Sequence, residues 1–401
     1  MLLLFALPGA LVEHARLRGW AAPAAAWLWD LGFLLGMGAT AVHLIHLVKA
    51  QLRSPLFRLG ISVPGQTFLA AGFLSGLWQL ALWPLRAALA HFGQADALAL
   101  LHWLDLAPIA LALISVGTSR RRISEWVRVQ LEPERRSAGA VAAPRSPGAA
   151  HGLVRVPVER RRMPGPPNAE RVLRVVQISD PHLGPWQPIE RLRRTLTELI
   201  ACDPHLVLLT GDFLTMEGSG SPGALALALA PLREVADRCF AVFGNHDHEA
   251  PSEVRHALGS AGVRLLVDEE AIAGTPVGPI QLLGADYVWR EREQHLQRLF
   301  RAHPRRDGMP RLLLLHDPSA FAHVPEGEVD LTFSGHTHGG QVGLVSLGID
   351  WTVLRRSAWP DHGLFARGVS LLYVHRGTGF YGFPLRIGVP GETSVLEVVL
   401  P

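Results

Sequence analysis

The sequence predicts an α/β catalytic domain preceded by an all-α transmembrane region, and three observations carry that reading. Apolar residues make up 48% of the 401-residue chain, and the excess crowds its first third. From about residue 171, short apolar runs alternate with helical stretches, the pattern of an α/β domain. Five of those runs end in residue types that bind metals.

The N-terminal region contains three segments of membrane length, since about 20 mostly apolar residues span a bilayer. They are 27–47, 67–85 and 97–117. Trp27, Trp29, Trp78 and Trp83 lie near segment ends, where amphipathic rings favour the interface. Residues 2–12 are apolar but short, lacking a charged n-region and a convincing cleavage site. They read as a partial first helix and not as a signal peptide. Lys49, Arg53 and Arg58 follow the first span, and Arg120, Arg121 and Arg122 follow the third. That bias predicts a multi-pass protein of the inner (cytoplasmic) membrane with everything after 119 facing the cytoplasm.

His43, His46, His102 and Asp105 sit within these segments, paired at i, i+3. Ionisable groups at membrane depth raise a haem-binding, proton-relay or transport alternative. Hydrogen bonding between helices explains them more simply.

A juxtamembrane helix and linker are expected over 120–152, because 131–150 is rich in Ala, Pro, Gly and Arg without a period. Residues 163–168 repeat that composition, and 153–159 (LVRVPVE) alternates as a first edge strand would. The catalytic domain is therefore expected over 153–401. Cys202 and Cys239 are too few for a disulfide scaffold or a cysteine zinc site and read as buried thiols. A net charge of +3, with arginines dispersed, gives no reason to expect nucleic-acid binding.

The five strand ends are specific. RVVQIS precedes Asp180-Pro181-His182, LVLLTG precedes Asp212, and CFAVFG precedes Asn245-His246-Asp247. RLLLL precedes His316, and LTFSG precedes His336-Thr337-His338. In open α/β sheets, ligand sites form at the carboxyl ends of strands, so five such loops converge on one place. Carboxylate, amide and imidazole donors without thiolate suit Mn, Fe, Zn or Ni better than calcium or a structural zinc. An aspartate between two cations about 3.5–4 Å apart would let the pair clamp a phosphoryl group.

These motifs resemble those of the calcineurin-like metallophosphoesterases, in particular a membrane-anchored bacterial branch similar to UDP-2,3-diacylglucosamine pyrophosphatases. The resemblance covers about 171–401. It implies a two-sheet sandwich flanked by helices and two divalent metal ions, Mn favoured. Asp180, His182, Asp212 and His338 would hold the first ion; Asp212, Asn245, His316 and His336 would hold the second. His246 would be the catalytic histidine, with Asp247 orienting it or supporting the loop. The implied reaction is hydrolysis of a phosphoester or pyrophosphate, amphiphilic or lipid-linked substrates included, by metal-activated water. A membrane sensor that uses the metallo-domain only to report is the other alternative. Pro181 and Thr215 depart from the usual pattern without removing a ligand. Beyond the motifs, Arg376, Tyr381, Phe383 and Arg386 lie in a Gly- and aromatic-rich segment after a strand-like run. They are expected to contact substrate, because arginine binds phosphate oxygens bidentately.

Overall fold

The computed structural model describes residues 2–131, 152–165 and 171–401, so most of the expected 131–150 linker and part of 163–168 lie outside the described residues. The chain divides into two compact units: Met1–Arg120 with Tyr381–Ile387, and Arg121–Phe380 with Gly388–Pro401.

The first unit is helical: α1 (Leu2–Trp20), α2 (Ala26–Leu47), α3 (Val63–His91), α4 (Ala95–Leu104) and α5 (Ala107–Ser119). Among the described residues, three stretches are long and apolar enough to cross a membrane: Ala26–Leu47, Pro55–His91 and Ala95–Ser119. The third is interrupted before α5, where Pro108 stands in the first turn and supplies no N–H to continue a preceding helix. α1 runs 19 residues, well past the apolar 2–12. It packs on α3 through small residues: a Cβ on Gly9 would lie 2.1 Å from the Gly72 carbonyl oxygen, and one on Gly72 would lie 2.3 Å from that of Ala6. Such small-residue seams let apolar helices approach closely.

The ionisable residues of this unit tie helices together. Arg86 pairs with the buried Asp105, and Gln79 donates to Glu13 at 2.5 Å and to Asp105 at 3.3 Å. His43 Nε2 meets Gln66 Nε2 at 3.1 Å, and the His102 ring stacks on Trp20. These contacts occupy the groups that raised the haem and transport alternative, which the structure does not favour. The segment 381–387 joins the same unit. Phe383 lies 6.3 Å from Phe73 ring to ring, Ser115 donates to the Pro384 carbonyl, and the Arg386 N–H donates to Ser119 Oγ at 2.9 Å.

The second unit is a two-sheet α/β sandwich. One seven-stranded sheet has the order β4-β2-β16-β5-β6-β7-β8, with β2 Trp126–Gln130, β4 Glu159–Arg161, β5 Val172–Ile178, β6 Leu206–Leu209, β7 Cys239–Ala241, β8 Arg264–Leu265 and β16 Val395–Val399. The other has the order β3-β13-β14-β12-β11-β10-β9, with β3 Val154–Val156, β9 Glu269–Thr275, β10 Gly278–Ala285, β11 Arg311–Leu315, β12 Leu331–Ser334, β13 Gly363–Arg367 and β14 Ser370–Val374. A small pair, β1 (Arg122–Ile123) and β15 (Gly391–Glu392), lies apart.

Alternation builds the core. Leu173, Val175, Leu206 and Leu208 of one sheet share a buried cluster with Leu312, Leu314, Leu331 and Phe333 of the other. The next residues along the second sheet, Leu313, Leu315 and Leu372, face a separate cluster with Leu296, Leu299 and Phe300 of the helix Arg292–Ala302. Strands buried on both faces read as continuous apolar runs.

The expected 120–152 helix and linker is corrected at its start, because 122–123 and 126–130 form β1 and β2. Val127 and Val129 bury while Trp126, Arg128 and Gln130 stay partly exposed, a period of two that only a strand satisfies. The expected strand over 153–159 is also divided. β3 forms an edge of one sheet and β4 an edge of the other, with Pro157 between them unable to donate to a ladder.

Candidate metal centre

β5, β6 and β7 pair in parallel in one sheet, and β10, β11 and β12 in the other. Parallel pairing brings the carboxyl ends of these strands to one edge, and every ligand-bearing loop leaves from there. Asp180, His182 and His338 offer donor atoms within 4.8 Å of one another, as do Asp212, His316 and His336. Asp212 Oδ2 joins the groups, 3.6 Å from His182 Nε2 and 3.3 Å from His316 Nε2. His182 Nε2 and His338 Nε2 are 3.3 Å apart, and Asn245 Oδ1 is 3.2 Å from His316 Nε2. The structure thus gathers all seven expected ligands.

The backbone holds five of them under strain. Asp180, His182, Asp212, His336 and His338 all adopt positive φ, between 46° and 66°. Non-glycine residues avoid that region, and such outliers concentrate where function requires them. Two glycines leave the space this needs. A Cβ on Gly335 would fall 1.8 Å from Ser179 Oγ, and one on Gly244 would fall 2.2 Å from Asp212 Oδ1.

Surrounding hydrogen bonds aim the donors. His316 Nδ1 meets the Thr210 carbonyl at 2.6 Å and His182 Nδ1 meets that of Leu214 at 3.3 Å, so both rings turn Nε2 toward the cluster. Asp180 accepts the His336 N–H at 3.0 Å, and Asp212 Oδ1 accepts the His246 N–H at 2.9 Å. Asp247 is buried and accepts three backbone N–H groups, from Asp212 at 2.7 Å, Phe213 at 2.8 Å and Gly244 at 2.8 Å. It therefore clamps two ligand loops together. The carboxylate that meets the His246 ring is Glu249, at 2.8 Å from Nδ1.

The electrostatics suit cations. Burial pushes His182 down to about 4, and burial with the neighbouring His316 pushes His336 down to about 4, so both offer a lone pair at neutral pH. Burial, with the charge of Asp212 adding, lifts Asp180 to about 6. Burial opposes charge on Asp212 and His316 alike, yet each holds the other ionised: Asp212 falls well below the usual carboxylate range and His316 rises to about 10. The pocket thus traps a proton where a cation would sit. The donor set fits two divalent ions sharing Asp212.

The four expected substrate contacts divide between the two units. Tyr381, Phe383 and Arg386 belong to the helical unit. Arg376 lies in the catalytic unit, buried, with its guanidinium on Glu392 at 3.2 Å and Glu125 at 3.6 Å. Its aliphatic stem packs on Gly339, next to His338, and so supports the ligand loop. Sequence reasoning missed Glu249, and it missed the aromatic rim of the centre. Tyr287 is 6.1 Å from His316, Trp359 is 6.3 Å from His336, and Trp289 packs against Tyr287. The signal for Glu249 was its i+3 spacing from His246; the rim comes from loops with no motif.

Known proteins resemble this chain in sequence. A family model described as calcineurin-like phosphoesterase matches residues 173–340. Phosphodiesterase YaeI of Escherichia coli is 30% identical over 232 residues, 56% of this chain and 82% of that protein. The metallophosphoesterase YkuE of Bacillus subtilis is 28% identical, over 56% of this chain and 78% of its own. A transmembrane protein with a metallophosphoesterase domain from Danio rerio is 28% identical, over 62% of this chain and 56% of its own. On that relatedness and on the ligand loops that carry it, this chain belongs to the calcineurin-like metallophosphoesterases, metal-dependent hydrolases of phosphoesters.

Proposed function

We propose that this protein is a membrane-anchored phosphodiesterase that uses two divalent ions, Mn foremost, and acts on an amphiphilic substrate from the cytoplasmic side of the inner membrane. The observation that carries the reading is Asp212 Oδ2, poised between His182 and His316 so that one carboxylate serves both groups of donors. When bound, the two ions supply positive charge to the attacking water and to the phosphoryl oxygens.

The chain's own residues do the rest. Asp180, His182 and His338 hold one side of the centre; Asn245, His316 and His336 hold the other. His246 is partly exposed at the edge, its ring 5.6 Å from that of His182. Glu249 holds Nδ1, and in this reading the ring delivers a proton to the departing oxygen. The diester preference is taken from the E. coli relative, named a phosphodiesterase. Three membrane-length helices support a tether, and tethering raises the effective concentration of a lipid-borne substrate.

Purified full-length protein loaded with Mn should cleave bis(p-nitrophenyl) phosphate, and chelation should abolish turnover. Folded, metal-loaded protein without activity on any phosphoester would defeat the proposal.

A further inference from the structure

The loop that delivers His336 and His338 runs straight into a ribbon that the proposed chemistry does not use. Gly343 pairs antiparallel with Thr352, Leu344 N–H donates to the Trp351 carbonyl at 2.9 Å, and Val353 N–H donates to that of Val342 at 3.0 Å. A short 3-10 turn, Val345–Leu347, and Gly348 at φ 76° close the tip.

That ribbon is anchored to the centre at its base. Thr337, between the two histidines, donates to the Asp361 carbonyl at 2.7 Å, and Thr352 donates to the Asp361 carboxylate at 2.6 Å. A Cβ on Gly340 would lie 3.1 Å from Leu354. Trp359, just beyond the ribbon, stands beside His336.

Its outward surface is apolar. Leu347 is 74% exposed, Val353 52% and Ile349 51%, with Leu344 and Trp351 also exposed. Single exposed apolar residues are ordinary, but five on one twelve-residue ribbon form a patch that calls for a partner. The charges say which kind. Asp350 is the one acid between 341 and 360, and Arg155 and Arg355 each hold it at 3.4 Å. Arg356 is exposed beside the patch. Leucine, isoleucine and tryptophan with a basic flank form the signature of a segment lying in a lipid interface, where aromatic rings sit at headgroup level and arginine meets anionic heads.

We propose that residues 342–353 are a lipid-docking hairpin, which seats its apolar tip in a bilayer surface carrying anionic headgroups and so presents a headgroup phosphodiester to the centre beside it. This rests on the amphiphilic-substrate reading above.

The test uses full-length protein reconstituted in phosphatidylcholine vesicles with and without phosphatidylglycerol. A polarity-sensitive fluorophore at Leu347→Cys, in a Cys202→Ser, Cys239→Ser background, should emit blue and be quenched by shallow nitroxide lipids, more so with the anionic lipid. A probe that stays in water overturns the proposal. So does a blue shift that tracks protein-to-lipid ratio, which would mean that a second copy covers the hairpin. In parallel, Leu347→Asp with Ile349→Asp should lower kcat/KM for a vesicle-borne phosphatidyl-p-nitrophenol by about tenfold or more, the scale of burying two aliphatic side chains. Turnover of soluble bis(p-nitrophenyl) phosphate, with the same leaving group, should not change. Equal losses on both substrates would overturn the proposal. Absent turnover of the soluble diester by the parent protein would defeat the hydrolase reading instead, and the fluorescence arm would still decide the hairpin.

Discussion

His246 Nδ1 lies 2.8 Å from Glu249 Oε1, three residues further along the same turn. The contact holds the ring through Nδ1, which makes Glu249 a positioning residue for His246. Glu249→Gln should lower kcat by about tenfold to a hundredfold, part of the usual span for a general acid. The loss should be larger for an alkyl leaving group, which needs the proton, than for nitrophenolate, which does not. Metal content should match the parent protein. Equal losses across leaving groups would reduce Glu249 to a structural role.

Asp212 and His246 separate binding from chemistry. Asp212→Asn removes the oxygen shared by both groups of donors and should strip metal, measured by elemental analysis. His246→Ala should leave metal content near the parent value while lowering turnover by about a hundredfold to ten-thousandfold. If His246→Ala also emptied the centre, His246 would be a metal ligand and not the catalyst alone.

Asp247 is a stability prediction. Its carboxylate accepts from Asp212, Phe213 and Gly244. Asp247→Ala orphans three buried N–H groups, each costing about 1–3 kcal/mol. We expect a loss of several kcal/mol, read as a lower melting midpoint in chelator, where bound metal cannot compensate. A midpoint within error of the parent protein would show that water replaces the clamp.

The ligand loops were legible in sequence because parallel strands force their carboxyl ends onto one edge, so the order of motifs along the chain fixes a common place. Asp180 through His338 needed no tertiary knowledge beyond that rule. What the sequence hid depends on pairing between distant segments. β2 joins β16 across more than 260 residues, a partnership no local pattern announces. Arg376 sits after a strand, like a substrate arginine, yet it is turned inward by Glu392, which lies beyond the segment 381–387. The role of Asp247 was half visible: the motif offered orientation of His246 or support of the loop, and it is the loop whose backbone N–H groups Asp247 serves, a partnership that carries no local sequence signal.

Orientation can be checked directly. Lys49, Arg53, Arg58 and Arg120 to Arg122 flank the membrane-length helices on what the positive-inside rule makes the cytoplasmic side. A reporter fused after Pro401 should be active only in the cytoplasm, and protease added outside intact cells should spare the catalytic unit. Periplasmic reporter activity would reverse the proposed topology.

The trapped proton predicts how metal affinity depends on pH. His316 is raised to about 10 in the metal-free protein, chiefly by Asp212 working against burial, so at pH 7 its imidazole is protonated. A cation taking Nε2 must expel that proton. Affinity should therefore rise with pH, by about tenfold per unit for one proton released, and level off only above 10. Below about 6 the slope should steepen, because Asp180 then also carries a proton that coordination displaces. His182 and His336, held near 4, contribute nothing in this window. Calorimetric titration with Mn in buffers of different ionisation heat reads the released protons at each pH. Metal binding without proton release at pH 7 to 8 would mean that Asp212 and His316 do not hold each other charged.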